Sequence, residues 1–207
     1  MSDDAIHADP PRCARCEHRQ CYAGEDCFGT AGDHRDLYRT DAALSRLHEA
    51  ATAIEARHYG KAPRLQEIIY FAREMGAEKI GLAFCIGLAA EAKIIDEILA
   101  EAFDVISVCC KACGIPKKDY GLEQLRPEKP NEVMCNPAGQ ADLMNRAGCD
   151  LNVVCGLCVG HDAIFSKVSE APVTTLIAKD RVLAHNPAGA LYCRYVRRKI
   201  DAGAGAS

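Results

Sequence analysis

The sequence predicts an α/β fold, a mainly parallel sheet of four to five strands flanked by helices, preceded by a small N-terminal four-cysteine module and a helical segment. Three observations predict it. Short apolar runs alternate with longer stretches whose apolar residues recur every three or four positions, the pattern of strands feeding helices. Hydrophobic residues make up 49% of the 207 residues and charged residues 26%, enough to bury a core and too apolar for a disordered chain. Thirteen cysteines beside no Trp and only five Phe mean that something other than aromatic packing organises part of the molecule.

Residues 1–12 (MSDDAIHADPPR) read as a flexible leader closed by Pro10-Pro11. Residues 13–36 hold four cysteines and little apolar material, so this module needs a ligand to fold. The α/β domain is expected over 37–200. A helix over 41–58, capped by Thr40 or Asp41, places Leu44, Leu47, Ala51 and Ile54 on one face. A second, over 63–76, begins at Pro63, presents Leu65, Ile68, Ile69 and Ala72, and stops at Gly76. Residues 79–84 (KIGLAF) form an apolar run of the kind buried in a parallel sheet. A helix over 88–102 follows, with Leu88, Ile95, Ile98 and Leu99 inward, then a second strand at 103–108 (FDVISV). Residues 114–134, rich in Pro, Lys and Glu, read as a long loop, and loops of that length commonly carry function.

Asn136-Pro137 opens a helix that ends at Gly148. A third strand at 150–156 (DLNVVCG), a short helix at 161–169 and a fourth strand at 172–178 (PVTTLIA) complete the alternation. Lys179-Asp180-Arg181 reads as a solvated turn and 181–184 as a short return strand. Asn186-Pro187 then caps a last helix with Ala188, Leu191, Tyr195 and Val196 inward, and residues 201–207 read as a flexible tail.

Several function classes have no support. The net charge of −4 argues against nucleic acid, whose phosphates want a basic surface. The longest apolar stretch, 80–90, is 11 residues with two glycines, too short for a bilayer, so no membrane is expected. The acidic N-terminus lacks the apolar region of a secretory signal, which predicts a cytoplasmic protein. Neither a P-loop nor a Gly-x-Gly-x-x-Gly after a strand supports nucleotide binding. In a reducing compartment structural disulfides are rare, and thirteen thiols cannot all pair, so the cysteines point to metal or redox chemistry.

Those cysteines fall into two groups. Cys13-x2-Cys16-x4-Cys21-x5-Cys27 places four thiols within 15 residues, the spacing of a site that grips metal from a tight turn. Four thiolates suit either zinc or an iron–sulfur cluster, and the spacing does not choose between them. His18 and His34 nearby read as exposed loop histidines. The second group is dispersed: Cys85 follows the first strand, Cys109 and Cys110 the second, and Cys158 the third, while Cys135 opens the Asn-Pro helix. In a parallel sheet those strand ends share one edge, where ligand sites of open α/β sheets sit, and a helix start favours a thiolate or an anionic cluster. The expectation is one thiol-lined pocket. Neighbours on a strand point to opposite faces, so only one of Cys109 and Cys110 faces it unless the chain bends.

Cys155 and Cys193 read as core packing, Cys149 as a weak candidate, and Cys113, at chelating spacing in Cys110-x-x-Cys113, as another weak candidate whose role the sequence leaves open. His161, at a helix start, can ligate, donate a proton or cap, and Lys111 can neutralise an anionic cluster or substrate. These two are the candidate catalytic residues, and Asn136 is expected to cap its helix.

The four N-terminal cysteines followed by FCIG, CCK, CNP, GLCVGHD, the KDR turn and HNP make the chain resemble, over about residues 13–196, the prokaryotic family catalogued as domain of unknown function 1847. Members of that family are usually labelled metal-binding. The resemblance implies a role for Cys13, Cys16, Cys21, Cys27, Cys85, Cys109, Cys110, Cys135, Cys158 and His161.

The leading expectation is a cytosolic iron–sulfur protein with two metal centres. The N-terminal site would hold a cluster, of the [4Fe–4S] kind, or a zinc. A second cluster in the thiol-lined pocket would serve low-potential reduction or sulfur transfer on a small molecule. A small-molecule substrate or an electron-donor protein is the expected partner, and a homodimer is compatible with it. The alternatives are a non-catalytic zinc protein acting as structural element, sensor or trafficking module, and a metal-free thiol or persulfide carrier using Cys109-Cys110.

Overall fold

The structure, a computed structural model, describes residues 11–204, and the side chains of 201–204 lie outside that description. The leader expected over 1–12 thus falls, up to residue 10, outside the described residues, as does the tail from residue 205. The chain forms two compact units that divide between Arg57 and His58.

The first unit opens with two short 3-10 turns, Cys13–Arg15 and Gln20–Ala23, and continues into helices α1 (Ala31–Thr40) and α2 (Ala42–His58). Helix α1 was not foreseen, because AGDHRDLYRT carries no apolar stripe. Its start is held by Asp26, whose carboxylate accepts N–H bonds from Phe28, Thr30 and Ala31 at 3.3, 3.3 and 2.8 Å. Asp41 rather than Thr40 caps α2, accepting from the Leu44 N–H at 2.9 Å. Ala50 and Ile54 are buried in α2, whereas Ala51 is exposed.

The second unit begins with α3 (Arg64–Met75) and then alternates strictly: β1 (Lys79–Phe84), α4 (Ala89–Ala100), β2 (Asp104–Cys109), α5 (Pro137–Ala147), β3 (Leu151–Cys155), α6 (His161–Val168) and β4 (Val173–Ile177). The four strands are parallel in the order β2-β1-β3-β4. Parallel crossovers are right-handed. The chain runs outward from β1 to β2 and then back across β1 to β3 and β4, which puts α4 on one face and α5 with α6 on the other. Central strands covered on both faces are mostly apolar, and Ile80, Leu82, Ala83, Leu151, Val153 and Val154 are all buried, with Asn152, whose amide donates to Ser169 Oγ at 2.8 Å, the polar exception. At the amino edge, Asp150 accepts the Glu78 and Lys79 N–H groups at 2.9 Å each and so sets the β1–β3 register. Arg64 of α3 donates to Thr175 O at 2.6 Å and blunts the exposed edge of β4.

Three expectations are corrected. Residues 181–184 form a turn, not a return strand, so the sheet has four strands. Asp180 dictates this by accepting from both Val182 and Leu183 N–H at 2.9 Å, and Ala184 and His185 follow with φ of 49° and 63°. The last helix is broken at Cys193 into α7 (Gly189–Tyr192) and α8 (Arg194–Ala204), and Ala188, Leu191, Tyr195 and Cys193 itself are exposed rather than inward. Helix α8 also runs into the segment expected to be a tail. Ile98 of α4 lies at the exposed rim, while Leu88, Ile95 and Leu99 are buried as expected.

Candidate functional site

In the first unit, Cys13, Cys16, Cys21 and Cys27 together line one concave space of about 560 Å³, with Arg12, Arg19 and Phe28 beside them. Two tight turns bring them there, helped by Arg19 in the left-handed region at φ 48° and by Gly24 at φ 94°. All four thiols are exposed. The Arg19 N–H donates to Cys16 Sγ at 3.4 Å, and this bond, with that of His18, holds the Cys16 pKa below the ordinary thiol value. Cys27 moves the other way, because desolvation and then the nearby Cys21 and Glu25 disfavour its charge.

In the second unit the sheet order places the topological switch between β1 and β3, whose following connections leave in opposite directions. Cys85 follows β1 and Cys158 lies just beyond β3. Gly156 makes the exit from β3 possible: its φ is +65°, and the Leu88 side chain fills the space a Cβ would take. Cys110, one residue past β2, is 2% exposed. Its sulfur accepts the N–H of Ile86, the residue after Cys85, at 3.4 Å. Of the vicinal pair, Cys110 is therefore the member that meets the Cys85-Ile86 turn, whereas Cys109 Sγ accepts the Lys111 N–H at 3.5 Å. Cys135 precedes the Asn136 cap of α5, where Asn136 Oδ1 accepts from Gly139 N–H at 2.9 Å.

Cations meet three of these sulfurs. Lys111 Nζ donates to Val133 O at 2.6 Å and to Cys135 Sγ at 3.4 Å. Arg181 donates to Cys158 Sγ at 2.9 Å. Lys179 Nζ and Cys85 Sγ both lie beside Gly87, so the Lys179 charge is near that thiol. Lys179 and Arg181 correct the reading of the KDR segment as a solvated turn. The available signal was its position, directly after a strand at the carboxyl edge.

These contacts set the acidities apart. Burial opposes ionisation of Cys85, but the Gly87 N–H, the Lys179 charge and the neighbouring Cys110 thiol together hold its pKa below the ordinary value. Burial pushes Cys110 up to about 12, opposed by the Ile86 N–H and reinforced by the charges of Cys135 and Cys85. His161, half-buried at the start of α6, has a lowered pKa, first from burial and then from the Lys111 charge, with Asp162 opposing. It is thus neutral at pH 7 and able to accept or pass a proton.

Other cysteines separate cleanly. Cys155 is buried within β3 and packs in the core. Cys149 stands at the opposite, amino edge near Lys79 and Asp104. Cys113 is exposed, in the left-handed region at φ 70°. Among the described residues no group of three or more His, Cys, Asp or Glu side chains is arranged to hold a metal ion. No described helix is long and apolar enough to cross a membrane.

The family model described as "Protein of unknown function (DUF1847)" matches residues 27–176. It therefore takes in Cys27 and the whole sheet-edge thiol group, and stops short of Lys179 and Arg181. The chain is similar to an uncharacterized protein, MJ0455, of Methanocaldococcus jannaschii, at 46% identity over 193 residues, 93% of this chain and 99% of the relative. No solved structure matches the chain.

Proposed function

The chain belongs to the DUF1847 family, and from the two thiol groups it carries we propose that it is an iron–sulfur protein with one centre in each unit. Cys85, Cys110, Cys135 and Cys158 would hold the sheet-edge cluster, with Cys109 adjacent, and Cys13, Cys16, Cys21 and Cys27 the N-terminal one. The single observation that carries the reading is the position at one sheet edge of thiols from four separate junctions, two of them hydrogen-bonded by Lys111 and Arg181 and a third beside Lys179.

The donor set fits such a guest. It is all thiol, hence soft. Cations on the sulfurs offset the negative charge that several thiolates and sulfide bring together. The N-terminal thiols line a space of about 560 Å³, room for an inorganic core. A cluster of this kind, when bound, supplies one-electron chemistry suited to low-potential reduction or sulfur transfer. Lys179, Lys111 and Arg181 would hold an anionic reactant at the sheet edge, and the neutral imidazole of His161 would accept or return a proton beside it.

Anaerobic purification followed by iron and acid-labile sulfide analysis tests the proposal. Brown protein with both elements in equal amounts is the expected result. Colourless protein with stoichiometric zinc overturns it.

A second reading rests on Cys85 and Cys110 at neighbouring strand ends, the Ile86 N–H after Cys85 meeting the Cys110 sulfur, with one thiol pKa lowered and the other raised. That pairing suits a metal-free thiol carrier, with Cys85 as the attacking thiolate. Metal-free protein with reversible oxidation of that pair would favour it.

A further inference from the structure

Gln140 lies in the first turns of α5 and is fully buried. An amide in an apolar core destabilises unless its polar atoms are paired. Its Nε2 donates to two main-chain carbonyls, Phe84 O at 3.2 Å and Val108 O at 2.6 Å. Its Oε1 is buried with no hydrogen-bond partner among the described residues. Turning the amide over would aim Oε1 at two carbonyl oxygens, so the surroundings select the orientation with the donor forward.

Those two carbonyls immediately precede Cys85 and Cys109 in the chain. Phe84 O also accepts the Cys110 N–H at 2.8 Å, and Asn136, at the start of the same helix, donates its N–H to Cys110 O at 2.8 Å. The helix that presents Cys135 at its mouth therefore grips the ends of both β1 and β2. Leu or Met would fill a core position of this size without orphaning an oxygen. A half-satisfied amide kept in the core calls for a reason beyond packing.

We propose that Gln140 is a positioning residue of the sheet-edge thiol site. Acting through the Phe84 and Val108 carbonyls, it fixes the Cys85 and Cys110 loops against Cys135, and the orphaned Oε1 is the stability given up for that placement. The inference rests on reading the sheet edge as a functional thiol site, and it does not depend on which guest the thiols hold.

Gln140→Met keeps length and volume while removing the amide. The experiment compares full-length wild type and Gln140→Met, both purified anaerobically. It measures alkylation of each cysteine by peptide mass spectrometry, the melting temperature, and iron and sulfide content in the same samples. Cys155, buried in β3, serves as the control for general opening. The expected result is roughly a tenfold rise in Cys85 and Cys110 alkylation, the ratio a lost hydrogen bond corresponds to. Cys155 stays protected, and the melting temperature stays within about 4 °C of wild type or rises, since the orphaned acceptor leaves with the donor. Unchanged rates at Cys85 and Cys110 would overturn the proposal. So would opening of Cys155 together with a large fall in melting temperature, which would make Gln140 an ordinary core residue. If both proteins lack iron while the alkylation difference persists, the cluster reading falls and the positioning role stands. If iron is present and the rates agree, the reverse holds.

Discussion

The two thiol groups are built in opposite ways. The N-terminal one is local: four exposed cysteines on two tight turns, held by backbone bonds such as Arg19 N–H to Cys16 Sγ. The sheet-edge one is assembled from elements tens of residues apart, partly buried, hydrogen-bonded by Lys111 and Arg181, and flanked by the Lys179 charge. A site without a core beneath it depends on its guest for order, whereas a site at the edge of a packed sheet is shaped before any guest arrives.

The largest expected effect separates them directly. Stripping metal with a strong chelator should abolish amide protection across residues 13–27, by about a thousandfold or more in exchange rate, while β1 and β3 keep theirs. Hydrogen exchange with mass spectrometry reads both regions at once, and simultaneous loss would show that the two are not independent. The converse perturbation is Leu82→Ala in β1, where the side chain is fully buried. It should cost about 3 kcal/mol in denaturant unfolding and lower occupancy of the sheet-edge thiols, leaving the N-terminal centre loaded.

A smaller effect concerns charge. Lys179→Met removes the cation beside Cys85 and should shift the sheet-edge reduction potential down by on the order of 50 mV, because a nearby positive charge favours the more negative reduced state. The N-terminal centre should not move, and redox titration followed by EPR distinguishes the two.

Another modest effect is a pH dependence in the core. Burial raises the pKa of Cys155 from 9.0 to about 11. A raised folded-state pKa contributes stability that is fully present below pH 9 and is lost as pH rises toward 11. Cys155→Ala should therefore cost about 1 kcal/mol at pH 7.5, and its stability should fall by about 2 kcal/mol less than that of wild type between pH 7.5 and 10.5. Urea midpoints at the two pH values check it, and equal slopes would refute the assignment.

How much of this was legible in the sequence follows from the same contrast. Strand β1 was readable to the residue, because a strand covered on both faces is mostly apolar. That Cys85, Cys109 or Cys110, and Cys158 follow strands at the carboxyl edge was legible from the strand ends, and Cys135 from the start of the Asn-Pro helix. What escaped was information carried by tertiary structure. Helix α1 has no apolar stripe and takes its start from Asp26. Residues 181–184 look like a strand in composition, but Asp180 ties their N–H groups into a turn. Lys179 and Arg181 resemble any charged turn until the fold brings Cys85 and Cys158 beside them. No pattern in the sequence singles out Gln140, and only the packing of α5 shows that it is buried against two carbonyls.

The central claim is two independent thiol-held clusters, and the most direct measurement counts iron and acid-labile sulfide per chain in anaerobic wild type and Cys135→Ser, with circular dichroism to confirm folding. The account predicts about eight of each in wild type and about four in the variant, with one set of EPR signals gone. A folded Cys135→Ser protein that keeps its full complement, or loses all of it, would contradict the claim.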